Sequence, residues 1–196
     1  PGGKSAVAAR LWARFGNVQN FVDPFCGSLA VPLARPHPPG IETVNDLNGW
    51  IANFYRAAQA DPEAVAEYAD WPVSELDLHA RGDWLFYRTG VEEWIEQIRS
   101  DPEFYDAKSA GWWAWGQSCW IAGGWGRDEK KAKVGRGRPE LRNAGEGIHR
   151  KLPYLGGAFG TGEGGLIKLR RKDALRGAVL QLRDRIRTMR ICCGEW

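Results

Sequence analysis

Two short apolar runs, each ending in an acidic residue, constrain the fold of this chain more than any other feature. The first run ends at Asp23 and is followed by the turn sequence Pro-Phe-Cys-Gly-Ser and a short helix-compatible stretch. The second run ends at Asn45-Asp46 and is followed by a helical pattern over 47–60. Two successive units of strand, turn and helix predict an α/β fold with a parallel sheet.

In such a sheet, Asp23 and Asp46 would lie at the carboxyl ends of neighbouring strands. Parallel α/β sheets bind ligands outside this edge, with a glycine turn near the ligand and a carboxylate one strand later bonding ribose hydroxyls. The spacing therefore points to a nucleoside-cofactor site. The alternative is that both acids are helix N-caps, a position that Asp often fills. Spacing alone does not separate the two interpretations.

The bulk composition bounds the class of protein. A chain of 196 residues with a net charge of +3 can hold one domain, with room for an insertion. Its four cysteines contain no C-x-x-C pair, so we expect neither a disulfide framework nor a metal site. No apolar run reaches membrane-spanning length and no signal-peptide pattern opens the chain. We therefore expect a cytoplasmic protein with no membrane partner.

The chain opens with a glycine turn before a helical pattern in which Val7, Leu11, Trp12 and Phe15 share a face. Its glycines would let backbone N–H groups approach a ligand, and the lysine that follows would bring positive charge. The same Gly-Lys-Ser matches the end of a Walker A loop, which leaves a P-loop nucleotidase as an alternative, although no Walker B strand follows. A flexible start before a helix is the third interpretation.

Residues 61–168 do not alternate strand with helix, and we expect a helical insertion there. After a mixed polar stretch, 91–99 shows helical periodicity, and Asp101-Pro102 is typical of the start of a further helix running to about residue 121. Five tryptophans fall within 112–125. They fit the core of a helical subdomain better than a base-stacking surface, because aromatic residues at helical spacing usually pack against one another.

Positive charge is concentrated in a glycine-rich segment. Between residues 127 and 151 there are nine Lys or Arg against four Asp or Glu. Such a segment suits contacts to DNA phosphates, although a solvated surface loop is the alternative. The residues that we assign to DNA binding are Lys130, Lys131, Lys133, Arg136, Arg138 and Arg142.

The final residues predict a helix followed by a returning strand. Apolar residues from Leu175 to Met189 recur at three- and four-residue steps, and Asp173 can cap the helix start. Residues 190–193 then read as a strand that rejoins the sheet. Because the chain starts at Pro1 inside a glycine turn and stops at Trp196 just after this strand, we expect a fragment cut at both ends.

Three motifs in this order resemble the Dam-type DNA adenine methyltransferases, including their phage and bacterial relatives. They are P-G-G-K at the start, D-P-F-C-G-S after the first strand and N-D-L-N-G-W-I-A-N-F-Y-R after the second. The resemblance implies a Rossmann-like S-adenosylmethionine-dependent sheet with a helical target-recognition insertion. The implied divisions are a cofactor-binding part over 1–60, the insertion over 61–168 and a return to the sheet over 169–196. The implied partner is double-stranded DNA.

The resemblance also assigns site residues, by position. The amino-terminal motif that touches S-adenosylmethionine corresponds to Gly2, Gly3 and Lys4, and the loop that packs under it to Asp23, Phe25, Gly27 and Ser28. Asp46 matches the acid that bonds the ribose hydroxyls, and Glu195 falls near the acid beside the adenine. Where the family often has a second glycine, this chain has Leu29.

The motif that performs catalysis in this family is [DNS]-P-P-[YFW], which holds the amino group of a flipped adenine. The sequence contains Pro-Pro only at Pro38-Pro39, between His37 and Gly40, which are the wrong flanks. No catalytic residue is therefore assigned, and we expect this polypeptide alone to be inactive. A non-catalytic DNA-binding module and methyl transfer to the amino group of cytosine remain as alternatives.

Overall fold

A computed structural model of the chain describes residues 4–119 and 171–196. Within these ranges the strands are β1 (Asn20–Asp23), β2 (Ile41–Asn45) and β3 (Arg190–Cys192). The first four helices are α1 (Ser5–Phe15), α2 (Ala30–Leu33), α3 (Gly49–Ala60) and α4 (Pro62–Ala69). The other four are α5 (Glu75–Tyr87), α6 (Val91–Ser100), α7 (Ala107–Cys119) and α8 (Arg171–Ile186).

The three described strands form one parallel sheet with β2 in the centre. Asp23 pairs with Val44 across β1 and β2, and Asn45 pairs with Cys192 across β2 and β3. Because all three strands run the same way, their carboxyl ends meet at one edge of the sheet. The predicted parallel α/β sheet and the returning strand near residue 190 are confirmed.

The helix α1 packs beside β1 through a narrower stripe than its sequence predicts. Val7 and Phe15 are 40% and 44% exposed, whereas Ala8 and Trp12 are buried. The indole N–H of Trp12 donates to the carbonyl of Val31 at 2.7 Å, which fixes α1 against α2. The predicted four-residue apolar face is therefore only partly correct, because the contact surface includes a small residue that hydrophobicity did not single out.

Helix α3 is the centre of the main hydrophobic core, with eight of its residues buried. It is covered by α4, α7 and α8, and one continuous apolar cluster runs from Val44 on β2 through these helices to Trp115 and Ile186. The close approach of α4 and α7 depends on Gly111, where a Cβ would lie 2.4 Å from the Cβ of Tyr68. The division of the chain near residue 60 stays a prediction.

The start of α7 differs from its sequence prediction. Asp101 ends α6 by donating its N–H to the carbonyl of Gln97 at 2.9 Å, and its carboxylate accepts from the N–H of Glu103 in a tight turn. The cap of α7 is instead Asp106, which accepts from the N–H of Ser109 at 3.0 Å. A residue before proline is disfavoured in helical conformation, so Asp101 does not continue α6, but the Asp-Pro pair does not decide where the next helix begins.

Two further helix boundaries also differ. The mixed polar stretch before α6 contains α5, which begins after Ser74, whose hydroxyl accepts from the N–H of Asp77 at 3.3 Å. The sequence contains this cap, but the weak apolar periodicity of the residues after it did not predict a helix. Asp173 lies within the first turn of α8 and does not precede the helix, since α8 begins at Arg171.

The tryptophans of α7 belong to the core. Trp115 is 1% exposed and donates its indole N–H to the carbonyl of Trp71 at 2.8 Å, while Trp112 and Trp113 pack partly buried against the same cluster. The buried guanidinium of Arg81 lies 4.6 to 4.7 Å from three indole rings, those of Trp71, Trp112 and Trp115. The core interpretation is confirmed for these α7 residues; Trp120 and Trp125 lie outside the described residues.

In the part of the chain that the structure describes, none of the helices has the length and apolar character that crossing a bilayer requires. Nor do three or more His, Cys, Asp or Glu side chains there gather in a way that could hold a metal ion. All four cysteines of the sequence fall in the described ranges, and each is a free thiol.

Candidate functional site

The carboxyl edge of the sheet gathers a turn from each strand. The turn after β1 contains Phe25 and Gly27, the turn after β2 begins at Asp46, and the turn after β3 contains Glu195. Hydrogen bonds that cross from one turn to the next join these segments. The sequence predicted the strands and the turns at this edge. The structure adds the hydrogen bonds that connect the turns.

Lys4 joins the start of the chain to the end of β1. Its ammonium donates to both carboxylate oxygens of Asp23, at 2.6 and 2.7 Å, and to the carbonyl of Phe25 at 2.6 Å. An ammonium has three N–H groups, so these contacts use all of them. Asp23 is 5% exposed and also accepts from the N–H of Phe25 at 3.2 Å. The ion pair thus compensates a buried carboxylate and fixes the backbone of the turn.

Asp46 organises the glycine turn of the neighbouring strand. Its Oδ2 accepts from the N–H of Gly27 and its Oδ1 from the N–H of Asn48, both at 2.9 Å. A carboxylate offers about four lone-pair positions, so roughly two remain for a ligand. Asp46 is partly exposed, which leaves these positions accessible. The carboxylate can therefore hold the turn and accept hydrogen bonds from a ligand at the same time.

The backbone after Gly27 is left-handed at a position that is not glycine. Gly27 has a φ of 50° and Leu29 a φ of 56°. A left-handed conformation costs a residue with a side chain about 1 to 2 kcal/mol. Leu29 is completely buried, so its hydrophobic burial offsets this cost. The conformation explains why a glycine would also fit here, and the turn keeps its shape without one.

Two residues that sequence reasoning did not assign support this edge from below. The side-chain amide of Asn45 donates to the carbonyls of Pro24 and Gly194, at 3.1 and 3.0 Å. The hydroxyl of Tyr55 donates to the carbonyl of Gly27 at 2.8 Å. Both residues belong to the long motif that begins with the last residue of β2, but the backbone groups that they contact could not be predicted from one sequence.

Cys26 is a buried residue of the turn after β1, and its thiol is unreactive at neutral pH. It is 2% exposed, and its backbone N–H donates to the carbonyl of Asn45 at 2.8 Å. Burial, and next the negative charges of Asp46 and Asp23, raise the pKa of the Cys26 thiol to about 12. The thiol is therefore protonated at neutral pH, which excludes it as a thiolate nucleophile.

Three large apolar side chains project from this edge, one after each strand. Phe25 and Trp196 are each 71% exposed, and Leu47 is 53% exposed. Beside a carboxylate, these side chains offer apolar surface that a partly apolar ligand could contact. Of the three, sequence reasoning assigned only Phe25; the signal for the others was their position directly after an acidic residue.

The remaining predicted residues have different outcomes. Ser28 and Glu195 are exposed on the turns after β1 and β3. Pro38-Pro39 precedes β2 and lies at the opposite edge of the sheet, which agrees with its rejection as a catalytic motif. The predicted residues outside the described ranges are Gly2, Gly3, Lys130, Lys131, Lys133, Arg136, Arg138 and Arg142.

A comparison with protein families shows which family this chain belongs to. The family model for the D12 class N6 adenine-specific DNA methyltransferases matches residues 1–110. The chain belongs to this family. The resemblance to adenine methyltransferases is therefore confirmed at family level, while the Dam-type subgroup stays a prediction. A search of curated proteins found no match.

The family match covers only part of the candidate site. It includes Lys4, the turn after β1 and Asp46, together with α3 to α6. The turn with Glu195 and the basic segment lie beyond it. For a DNA methyltransferase the substrate is DNA, so the family establishes the substrate class.

Proposed function

We propose that this chain binds S-adenosylmethionine at the carboxyl edge of its sheet and serves methyl transfer to N6 of adenine in double-stranded DNA. The observation that carries the proposal is Asp46. Its carboxylate is oriented by two backbone N–H groups and retains free lone pairs at the end of the central strand. In parallel α/β sheets that bind nucleoside cofactors, a carboxylate at such a position accepts hydrogen bonds from the ribose hydroxyls.

The other groups at the edge fit the remaining parts of this cofactor. Leu47, Trp196 and Phe25 offer exposed apolar surface for an adenine ring and the chain attached to its ribose. Glu195 is exposed beside Trp196 and can accept from an exocyclic amino group. These assignments agree with the sequence resemblance, in which Glu195 lies near the adenine.

In this proposal Lys4 holds the turn after β1 and does not bind the cofactor directly. Its three N–H groups already contact Asp23 and Phe25, so it is not free to donate to a carboxylate of the cofactor without losing one of them. It holds the turn after β1 in place and compensates the negative charge of Asp23. This arrangement also disfavours the P-loop alternative, because a P-loop lysine must reach a phosphate.

When bound, S-adenosylmethionine supplies an electrophilic methyl group on a sulfonium. The protein residues contribute orientation: Asp46 fixes the ribose, and the apolar side chains exclude water from the faces of the adenine. Holding two reactants in line lowers the entropic part of a transfer barrier substantially. No catalytic residue is proposed, because the sequence contains no [DNS]-P-P-[YFW] motif to hold the target adenine.

For the DNA, we propose that the sheet follows a Rossmann-like plan and that residues 61–168 form the target-recognition insertion. The positive charge of this chain is concentrated between residues 127 and 151, where Lys and Arg exceed Asp and Glu by nine to four. Neutralising phosphates releases counterions, which gives a sequence-independent contribution to DNA affinity.

A ligand-dependent melting experiment tests the cofactor proposal. S-adenosylmethionine and S-adenosylhomocysteine should each raise the melting temperature, because a ligand that binds only the folded state stabilises it. ATP with magnesium should not. A shift with ATP and magnesium alone would support a P-loop nucleotidase, and DNA binding with no response to either nucleoside would support a non-catalytic DNA-binding module.

A further inference from the structure

Asn45 is the last residue of the central strand, and its side chain lies under the candidate site. It is 4% exposed. Its amide nitrogen donates to the carbonyl of Pro24 in the turn after β1 and to the carbonyl of Gly194 in the turn after β3. Only the nitrogen of an amide can donate to two carbonyls, so these partners fix its orientation.

The backbone of Asn45 takes part in the same connection. Its carbonyl accepts from the N–H of Cys26 at 2.8 Å, two residues beyond Pro24. The side chain and main chain of Asn45 therefore both hold the turn after β1, while the side chain alone reaches Gly194. Asn45 and Gly194 are 149 positions apart in the sequence, so this contact exists only in the folded chain.

We propose that Asn45 is a positioning residue that sets the separation of the turns after β1 and β3, and thereby the affinity for a ligand that touches both. The proposal rests on the function proposed above. β1 and β3 are not neighbours in the sheet, since β2 lies between them. Their turns are consequently free to shift relative to each other unless a group on β2 ties them, and the Asn45 amide is such a tie.

The tie predicts a dependence on the reach of the ligand. A ligand that bridges two turns gains affinity when their spacing is already set, because less ordering is required on binding. S-adenosylhomocysteine carries both the nucleoside and the amino-acid part and would reach from Glu195 to the turn after β1. 5′-Methylthioadenosine lacks the amino-acid part and depends less on that turn.

The experiment is calorimetric titration of the full 196-residue chain with both ligands, for the wild type, Asn45→Ala and Asn53→Ala. Asn53 is a matched control: it is also a fully buried asparagine with two hydrogen bonds to backbone, at 3.0 and 2.7 Å, but both go to Asp106 at the start of α7. Thermal unfolding of each variant gives its loss of stability separately.

Asn45→Ala should weaken S-adenosylhomocysteine binding about tenfold or more, because the ligand must then order the spacing of the two turns when it binds. Its effect on 5′-methylthioadenosine should be clearly smaller, at about threefold or less on the same scale. Asn53→Ala should change the affinity for both ligands by the same small factor. A purely structural role of Asn45 would lower stability without changing the ratio between the ligands.

Each other outcome overturns a specific statement. If the wild type binds but Asn45→Ala weakens both ligands equally, or neither, the positioning role is wrong while the cofactor proposal survives. If the wild type binds neither nucleoside, the cofactor proposal itself fails. Should Asn45→Ala not fold, Asn45→Ser, which keeps one donor, must show the same inequality; failure of both to fold would make Asn45 a folding residue only.

Discussion

Gly27 donates its backbone N–H to Oδ2 of Asp46 at 2.9 Å. The acid at the end of the second strand thus holds the glycine turn that follows the first. Two motifs that are separate in the sequence become one hydrogen-bonded unit at the edge of the sheet. A change at Asp46 therefore alters both the proposed ligand acceptor and the hydrogen bond that holds the neighbouring turn.

Replacing Asp46 should weaken cofactor binding, and by more in Asp46→Ala than in Asp46→Asn. Asp46→Ala removes the acceptor and the support of Gly27, and should cost about 1.5–3 kcal/mol of S-adenosylmethionine binding free energy, the range for hydrogen bonds to a charged group. Asp46→Asn keeps one acceptor oxygen and should cost less. Calorimetry on both variants measures this, with Asp184→Ala on the exposed face of α8 as control. Unchanged affinity in Asp46→Ala would remove the residue from the site.

Cys26 should make folding stability fall at alkaline pH. The folded thiol keeps its proton up to about pH 12, whereas the reference value is 9.0. Between these values the folded state binds more protons than the unfolded state, so stability falls as pH rises from about 9 towards 12. Urea unfolding at pH 8, 9 and 10 should show a steeper decline in the wild type than in Cys26→Ala. Parallel declines would contradict the assignment.

Two glycine-to-alanine changes in helices should have opposite effects. In Gly111→Ala the new Cβ meets Tyr68 and lies 2.7 Å from the carbonyl of Val65, so overpacking should cost about 1–3 kcal/mol of unfolding free energy. In Gly177→Ala on α8 the Cβ enters open space, and helix propensity should stabilise the fold by about 0.5–1 kcal/mol. Chemical denaturation compares them. A neutral Gly111→Ala would show that α4 and α7 separate readily.

The basic segment should control the salt dependence of DNA binding. Changing Lys130, Lys131 and Lys133 together to Gln should lower the affinity for duplex DNA and flatten the slope of log affinity against log salt, because fewer counterions are released. Binding titrations at several salt concentrations measure the slope.

The control for this experiment removes the same charge elsewhere. Arg10, Arg14 and Arg187 are exposed in the described part of the chain, and their replacement by Gln should leave the slope close to that of the wild type. An equal loss in both triple variants would mean that net charge, and not the segment, governs binding. An unaltered slope in the lysine variant would make the segment a bystander.

Local patterns predicted much of the α/β framework. The apolar runs before Asp23 and Asp46 located β1 and β2, because short runs bounded by turn residues have few other uses. The start of α7 was predicted at Asp101-Pro102 and was wrong, because the same residue pair can end one helix as readily as begin another. The face of α1 was predicted by hydrophobicity, while its buried stripe depends on which residues β1 and α2 present.

The sequence by itself determined the two strand-end acids, the glycine turn between them and the motif order that identifies the methyltransferase family. These are local features, since turn chemistry and short apolar runs act between residues that are close in the chain. Only the tertiary structure decided that the three N–H groups of Lys4 would donate to Asp23 and Phe25. It also decided that the Asn45 amide would donate to the carbonyls of both Pro24 and Gly194. Such contacts join residues up to 149 positions apart, and which groups meet is settled by sheet order and packing.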